Sequence, residues 1–285
     1  MCGIVGLHLR EPALEPRLGE LLAAMLGQVV ERGPDSAGVA VYGDPRLSPP
    51  GRTVVSLLGT SKAEVEAALP GVQAYDADAT TVVHADVSSV AAALPGARVI
   101  GSGEGFAVLK GTGDPVRLAD AFGLADVTGW QGVGHTRMAT ESAVTPEGAH
   151  PFSVGPGQCL VHNGSFANHA TIRRQLRAQG VGFDSENDSE VGARFVAHQL
   201  EQGADLEKAL RLLCERFDGF YTLLVSTGDS FAVVRDAIAC KPALVAETDA
   251  WVAMASEYRA LDVLPGIENA RIFEPEPEEV YVWRR

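Results

Sequence analysis

Apolar spacing along the chain of 285 residues predicts strands at both ends and helices near the start and in the middle. The run "GIVGLHL" (3–9) has the length and apolar content of a buried strand. In "RLGELLAAMLGQVVERG" (17–33) apolar residues recur at helical spacing until Gly33 and Pro34 stop the pattern. A second buried strand, "AGVAVYG", follows, and the Pro/Gly-rich "GDPRLSPPGR" then reads as a surface connection. From Thr53 to about Val127 short strands alternate with short Ala-rich helices such as "SKAEVEAAL" and "PVRLADAFG". The glycine-rich "GSGEGFAV" (101–108) lacks the GxGxxG spacing of a dinucleotide loop and reads as a hairpin turn.

"GWQGVGHTRMAT" and "GQCLVHNGS" predict two strands that end in loops crowded with polar residues. Three helical patterns follow, at 168–180, 188–203 and 205–217. The last third returns to strands, among them "GFYTLLVST", "SFAVVRD" and "AWVAMAS", separated by two-to-four-residue Gly/Asp turns. Strands at both ends without a βαβ repeat predict a layered α+β architecture built on antiparallel sheets.

Composition narrows the class. With 46% apolar and 21% charged residues the chain reads as an ordered globule, and no linker divides it, so 1–285 is expected to be one domain. No apolar run would span a bilayer and the N-terminus lacks a signal-peptide pattern, which predicts a cytoplasmic protein without membrane contact. The formal net charge of −14 argues against nucleic acid as a partner, because phosphate backbones are held by Lys and Arg. Cys2, Cys159, Cys214 and Cys240 form no CxxC pair, so neither a disulfide framework nor a structural metal is expected. His135, His150 and His162 read as hydrogen-bonding residues at strand ends rather than metal ligands.

Taken alone, Cys2 reads as a small buried residue. Removal of Met1 would change its chemistry, since a freed α-amine on the same residue can serve the thiol as a base. Later segments favour that second reading. Arg137 ends the strand in "GHTRMAT" with a fork able to clamp a carboxylate. Asn163 and Gly164 place a side-chain amide next to a backbone N–H, a combination suited to an oxyanion. Arg32 sits in the turn "RGPDS", and Asp188 lies where it could cap a helix or hold an ammonium group.

In this order, MCGIVG, RGPDS, GHTRMAT, AHPF, VHNG and the triplet Asp188-Ser189-Glu190 resemble the glutaminase domain of class II glutamine amidotransferases, which are N-terminal-nucleophile hydrolases. "FDGFYTLLV", "VVRDAIACKPALVA" and "AMASEYRAL" resemble the closing strands of that domain. The region from about 44 to 128 is longer than the family leads one to expect. The resemblance implies a four-layer αββα sandwich of two antiparallel sheets that needs no cofactor. It implies Cys2 as nucleophile with its own amine as base, and Asn163 and Gly164 as oxyanion donors. For L-glutamine, it implies Arg137 on the α-carboxylate, Asp188 on the α-ammonium, and Met138 to Thr140 along the pocket, with Arg32 supporting the nucleophile. Glu141, where many members have His, and Met138, where many have an aromatic residue, are departures that bear on closure over glutamine.

The chain stops where the glutaminase fold is expected to stop. The resemblance therefore implies one or more separate synthase subunits that receive ammonia, most like the free-standing subunit of glutamate-synthase and N-methylglutamate-synthase systems, and allows a homo-oligomer. Two alternatives use the same residues differently. One is a stand-alone hydrolase of a γ-glutamyl or related amide; the other is a silent regulatory subunit in which Met1 is retained.

Overall fold

The computed structural model describes residues 2–139 and 143–285. In chain order the first elements are β1 (Gly3–Leu9), α1 (Leu18–Gly27), β2 (Ser36–Tyr42), β3 (Thr53–Leu58), α2 (Lys62–Ala68), β4 (Ala74–Ala77), β5 (Thr80–Val83) and α3 (Val87–Ala93). Next come β6 (Arg98–Glu104), β7 (Phe106–Thr112), α4 (Pro115–Ala121), β8 (Gln131–Arg137), β9 (Cys159–Phe166), α5 (His169–Ala178), α6 (Asp188–Glu201) and α7 (Leu206–Arg216). The chain closes with β10 (Gly219–Ser226), β11 (Ser230–Arg235), β12 (Leu244–Glu247), β13 (Trp251–Ala255), α8 (Tyr258–Leu261), β14 (Arg271–Phe273) and β15 (Tyr281–Arg284).

Two antiparallel sheets form the centre: β14-β12-β13-β1-β8-β2-β7 and β15-β11-β10-β9. Alternation along β1 explains how they are covered. Val5 and Leu7 point outward, into a core with Leu18, Leu22 and Leu26 of α1. Ile4 points inward, into a layer shared with Val161, Leu224 and Phe231 of the second sheet. On the far side, Leu223, Val225 and Val234 carry α5, α6 and α7 through Ile172, Val191 and Leu210. The result is the expected four layers, helix, sheet, sheet, helix. At Gly6 the sheets approach so closely that a Cβ would lie 2.4 Å from Leu224 Cδ2, which only glycine avoids.

The long 44–128 region divides in two. Strands β4-β5-β3-β6 make a third sheet with its own small core of Val55, Leu57, Val65, Val83 and Val90. β7 and α4 instead join the large sheet and its outer core. Thr80 and Ser56 of the third sheet bond the backbone of Lys110 and Val108, occupying the outer edge of β7 that would otherwise be open to pairing. The expected hairpin at 101–108 is corrected here. β6 pairs with β3 and β7 with β2, so at Gly105 (φ +64°) the chain turns a corner between sheets instead of folding back on itself.

Candidate active site

The β1–β8 register pairs Gly3 with Thr136, which brings Cys2 and Arg137 to the same end of neighbouring strands. Cys2 is half-buried. Two side chains grip its carbonyl oxygen: Arg32 Nε donates at 2.9 Å and Asn163 Nδ2 at 3.1 Å. Its Sγ lies 4.0 Å from the carbonyl oxygen of Met138. The first-strand cysteine, the arginine turn and the second sheet therefore meet at one residue.

Each partner is itself held. Arg32 Nη1 donates to Glu257 Oε1 at 2.8 Å, and Arg259 Nε reaches the other oxygen of that carboxylate at 2.6 Å. Burial pushes Glu257 up, but the Arg32 hydrogen bond and the two guanidinium charges outweigh it and leave the carboxyl below its ordinary range. Gly33 makes room for this turn, because a Cβ there would lie 2.5 Å from the Arg137 nitrogen. Asp35 Oδ2 accepts from the Ala139 N–H at 2.8 Å and so ties the RGPDS turn to the chain leaving β8. Neither Glu257 nor Asp35 was assigned a role from sequence. Both lie inside segments that carry the resemblance, RGPDS and AMASEYRAL, but nothing local signals that Glu257 pairs with Arg32, 225 residues away.

Arg137 is buried at the end of β8, and its Nη1 donates to the Ala143 carbonyl at 3.3 Å. Met138 is exposed. Thr140, and with it Glu141, lies outside the described residues. Gly164 has φ +143°, and a Cβ there would sit 2.0 Å from the Phe220 oxygen, so this β9 position requires glycine. The cap of α6 is Asn187, whose side chain accepts from Ser189 N at 2.9 Å. Asp188 is the first helical residue, and its carboxylate accepts from Phe166 N at 2.9 Å, fastening α6 to the end of β9.

Beneath these residues His135, His150 and His162 are buried, with the first two rings 4.1 Å apart and His162 on the helix-facing side of β9 with its register partner Leu223. His135 Nε2 lies 3.1 Å from the His162 carbonyl, which can only accept, so Nε2 carries the proton. His162 Nδ1 meets Ser189 Oγ at 2.8 Å, and that hydroxyl reaches Asp188 Oδ1 at 3.4 Å. Both ring nitrogens of His150 lack a partner, unlike the hydrogen-bonding role its sequence position suggested. Among the described residues, no group of three or more His, Cys, Asp or Glu is arranged to hold a metal ion.

Burial pushes all three imidazoles down, His135 to about 3, His162 to about 4 and His150 well below its ordinary value. Folding therefore disfavours their protonation, and unfolding takes up protons once the pH falls below the ordinary value of 6.5. Their stabilising contribution is complete above that pH and is lost as pH falls towards the folded-state values. We expect the unfolding free energy from urea titrations to fall between pH 7 and 5, at up to about 1.4 kcal/mol per pH unit for each ring. Replacing His150 by Phe should flatten that slope, as urea titrations across this range would show.

Residues 135–263 match the glutamine amidotransferase domain family. Glutamine amidotransferase-like protein GlxB of Rhizobium meliloti is 46% identical, over 99% of this chain and 98% of its own length. The chain belongs to the class II glutamine amidotransferase family. A putative glutamine amidotransferase of Methanothermobacter thermautotrophicus is 29% identical over 99% of both chains. Among solved structures, glutamine phosphoribosylpyrophosphate amidotransferase from B. subtilis shares the fold, with a TM-score of 0.62 at 20% identity. That alignment takes in 99% of this chain but only 49% of the other, so the amidotransferase chain spans about half the length of that protein. No helix among the described residues is long and apolar enough to cross a membrane.

Proposed function

We propose that this amidotransferase chain hydrolyses L-glutamine through a Cys2 thioester and delivers the ammonia to a separate synthase partner of glutamate-synthase type. The observation that carries the proposal is the double grip of Arg32 and Asn163 on the Cys2 carbonyl, which fixes the nucleophile residue and leaves its thiol outside that grip.

With Met1 removed, the Cys2 amine accepts the thiol proton as sulfur attacks the side-chain amide carbon of glutamine. Asn163 has a second amide hydrogen beyond the one on the Cys2 carbonyl, and with the Gly164 N–H it receives the developing oxyanion. Collapse of the tetrahedral intermediate breaks the C–N bond, and ammonia leaves with the proton held by the amine. Water then attacks the thioester, with the amine again taking a proton, and glutamate departs as the thiol re-forms. Arg137 pairs with the substrate α-carboxylate and Asp188 with its α-ammonium. Met138 lies along the same substrate.

A separate acceptor is in keeping with the GlxB relative, which aligns with this chain over 98% of its own length. The test is glutamate release from L-glutamine by protein with a native N-terminus verified by intact mass, with and without co-purifying partners. Release, and a transient mass increase corresponding to a γ-glutamyl group on Cys2, is expected. Absence of both under every partner condition, with Cys2 free, would overturn the proposal.

A further inference from the structure

The turn that delivers Asp188 to the end of β9 is gripped from two sides by buried charged side chains. Arg173 of α5 is 4% exposed, and it donates through Nη1 to the Ser185 carbonyl at 2.8 Å and through Nη2 to the Asn187 carbonyl at 3.1 Å. Glu190 of α6 is 2% exposed and accepts from Asp184 N at 2.8 Å, from Ser185 N at 2.7 Å and from Ser185 Oγ at 2.6 Å. The guanidinium, a donor only, takes the carbonyls of the turn, and the carboxylate, an acceptor only, takes its amides.

Seating α6 does not require this. Asn187 already caps the helix, and Val191, Phe195 and Val196 bury its apolar face with Leu210 and Leu223. At Gly192 the helix comes so near β9 that a Cβ would lie 2.7 Å from the Phe166 ring. A buried charge needs hydrogen bonds to offset its lost hydration. Arg173 also meets Glu186 Oε2 at 2.7 Å, but that side chain is 88% exposed, where an ion pair contributes little. Most of the compensation therefore comes from the backbone of the turn, and the residue that the turn leads into is Asp188. The Asp188 carboxylate is oriented as well. Oδ2 accepts from Phe166 N at 2.9 Å, and Oδ1 lies 3.4 Å from Ser189 Oγ, which His162 Nδ1 meets at 2.8 Å. A carboxylate offers about four acceptor positions, so these contacts leave room for a further donor.

We propose that Arg173 and Glu190 are positioning residues for glutamine recognition. By fixing the 184–187 turn they aim the Asp188 carboxylate at the substrate α-ammonium, and so make the site select amino-acid amides over amides that lack the amine. This role rests on the reading, proposed above, that Asp188 binds that ammonium. The α-ammonium is remote from the bond that breaks and is held equally before and during the reaction, so loosening its partner raises KM and leaves kcat unchanged.

The experiment measures ammonia release from L-glutamine and from glutaramate, the same amide without the α-ammonium, using the full chain with a native N-terminus. The lysine of R173K has no planar fork to span two carbonyls, and E190Q puts an N–H group where a carboxylate oxygen accepted. Each variant is expected to raise KM for L-glutamine by about tenfold with kcat nearly unchanged, and to leave kcat/KM for glutaramate as it was. Glutaramate doubles as the folding control, because a misfolded variant loses both substrates. D188N separates this role from the reading beneath it. If D188N weakens L-glutamine selectively while R173K and E190Q do not, the positioning role is overturned and the ammonium reading stands. If D188N weakens both substrates equally, the ammonium reading falls and the positioning role with it. Equal loss of both substrates in R173K and in E190Q, or a fall in kcat at constant KM, would also overturn the role, since the grip would then serve only the fold or the chemical step.

Discussion

Replacing Cys2 by Ala is expected to remove the proposed glutamine hydrolysis, with kcat lowered by a factor of about 10⁴ or more, the scale seen when a covalent nucleophile is deleted from a hydrolase. The fold should not notice. Cys2 precedes β1, is only half-buried, and contributes to the site through its backbone carbonyl, which alanine retains. Unchanged thermal unfolding beside lost turnover separates chemistry from structure.

The same loss is expected from a chain that keeps its cysteine and extends beyond it. A tag left ahead of Cys2 converts its amine into an amide, which cannot accept the thiol proton. Proteolytic release of the tag at Cys2 should then restore activity to the untagged level. Full activity in the tagged, uncleaved protein, checked by intact mass, would exclude the amine as base and send the search to another proton acceptor. Tag release distinguishes the amine from the thiol, which the alanine variant alone does not do.

Much of this site was legible because its residues sit where strands end. β1 and β2 carry mostly apolar runs, and Arg137 and Asn163-Gly164 lie towards the ends of the buried strands β8 and β9. Antiparallel register then determines what meets what, as with Cys2 and Arg137 on neighbouring strands. Contacts between distant segments were not legible. Glu257 reaches Arg32 only because β13 lies beside β1, and no local periodicity encodes that pairing.

The histidines illustrate a different limit. Each looked like a polar residue near a strand end, yet packing buries all three, and burial keeps them neutral. A sequence shows that an imidazole is present but not whether its ring nitrogens find partners, and those of His150 do not. Likewise 101–108 had the glycines of a turn, but whether a turn closes a hairpin or passes a strand to another sheet depends on the partner strands, here β3 and β2. Local composition also could not decide between adjacent polar residues at the start of α6. Asn187 takes the cap, which leaves the Asp188 carboxylate to fasten the end of β9.

Replacing Asn163 by Ala is expected to lower kcat by about 10²–10³, the range observed when one oxyanion donor is removed. Its Nδ2 supports the Cys2 carbonyl at 3.1 Å, so part of any loss could come from a loosened nucleophile instead of an unstabilised oxyanion. Arg32 provides the control, since it grips the same carbonyl by Nε at 2.9 Å. If support of Cys2 were the whole role of Asn163, N163A and Arg32→Lys would slow formation of the γ-glutamyl thioester to a similar degree. An oxyanion donor acts again when water attacks the thioester. N163A should therefore slow both acylation and thioester breakdown, with little change in the KM for glutamine, whereas Arg32→Lys should act mainly on acylation. Rapid-quench measurement of the thioester under single-turnover conditions resolves the two steps. Breakdown at the unaltered rate in N163A would assign Asn163 to positioning Cys2 and leave the oxyanion to the Gly164 N–H.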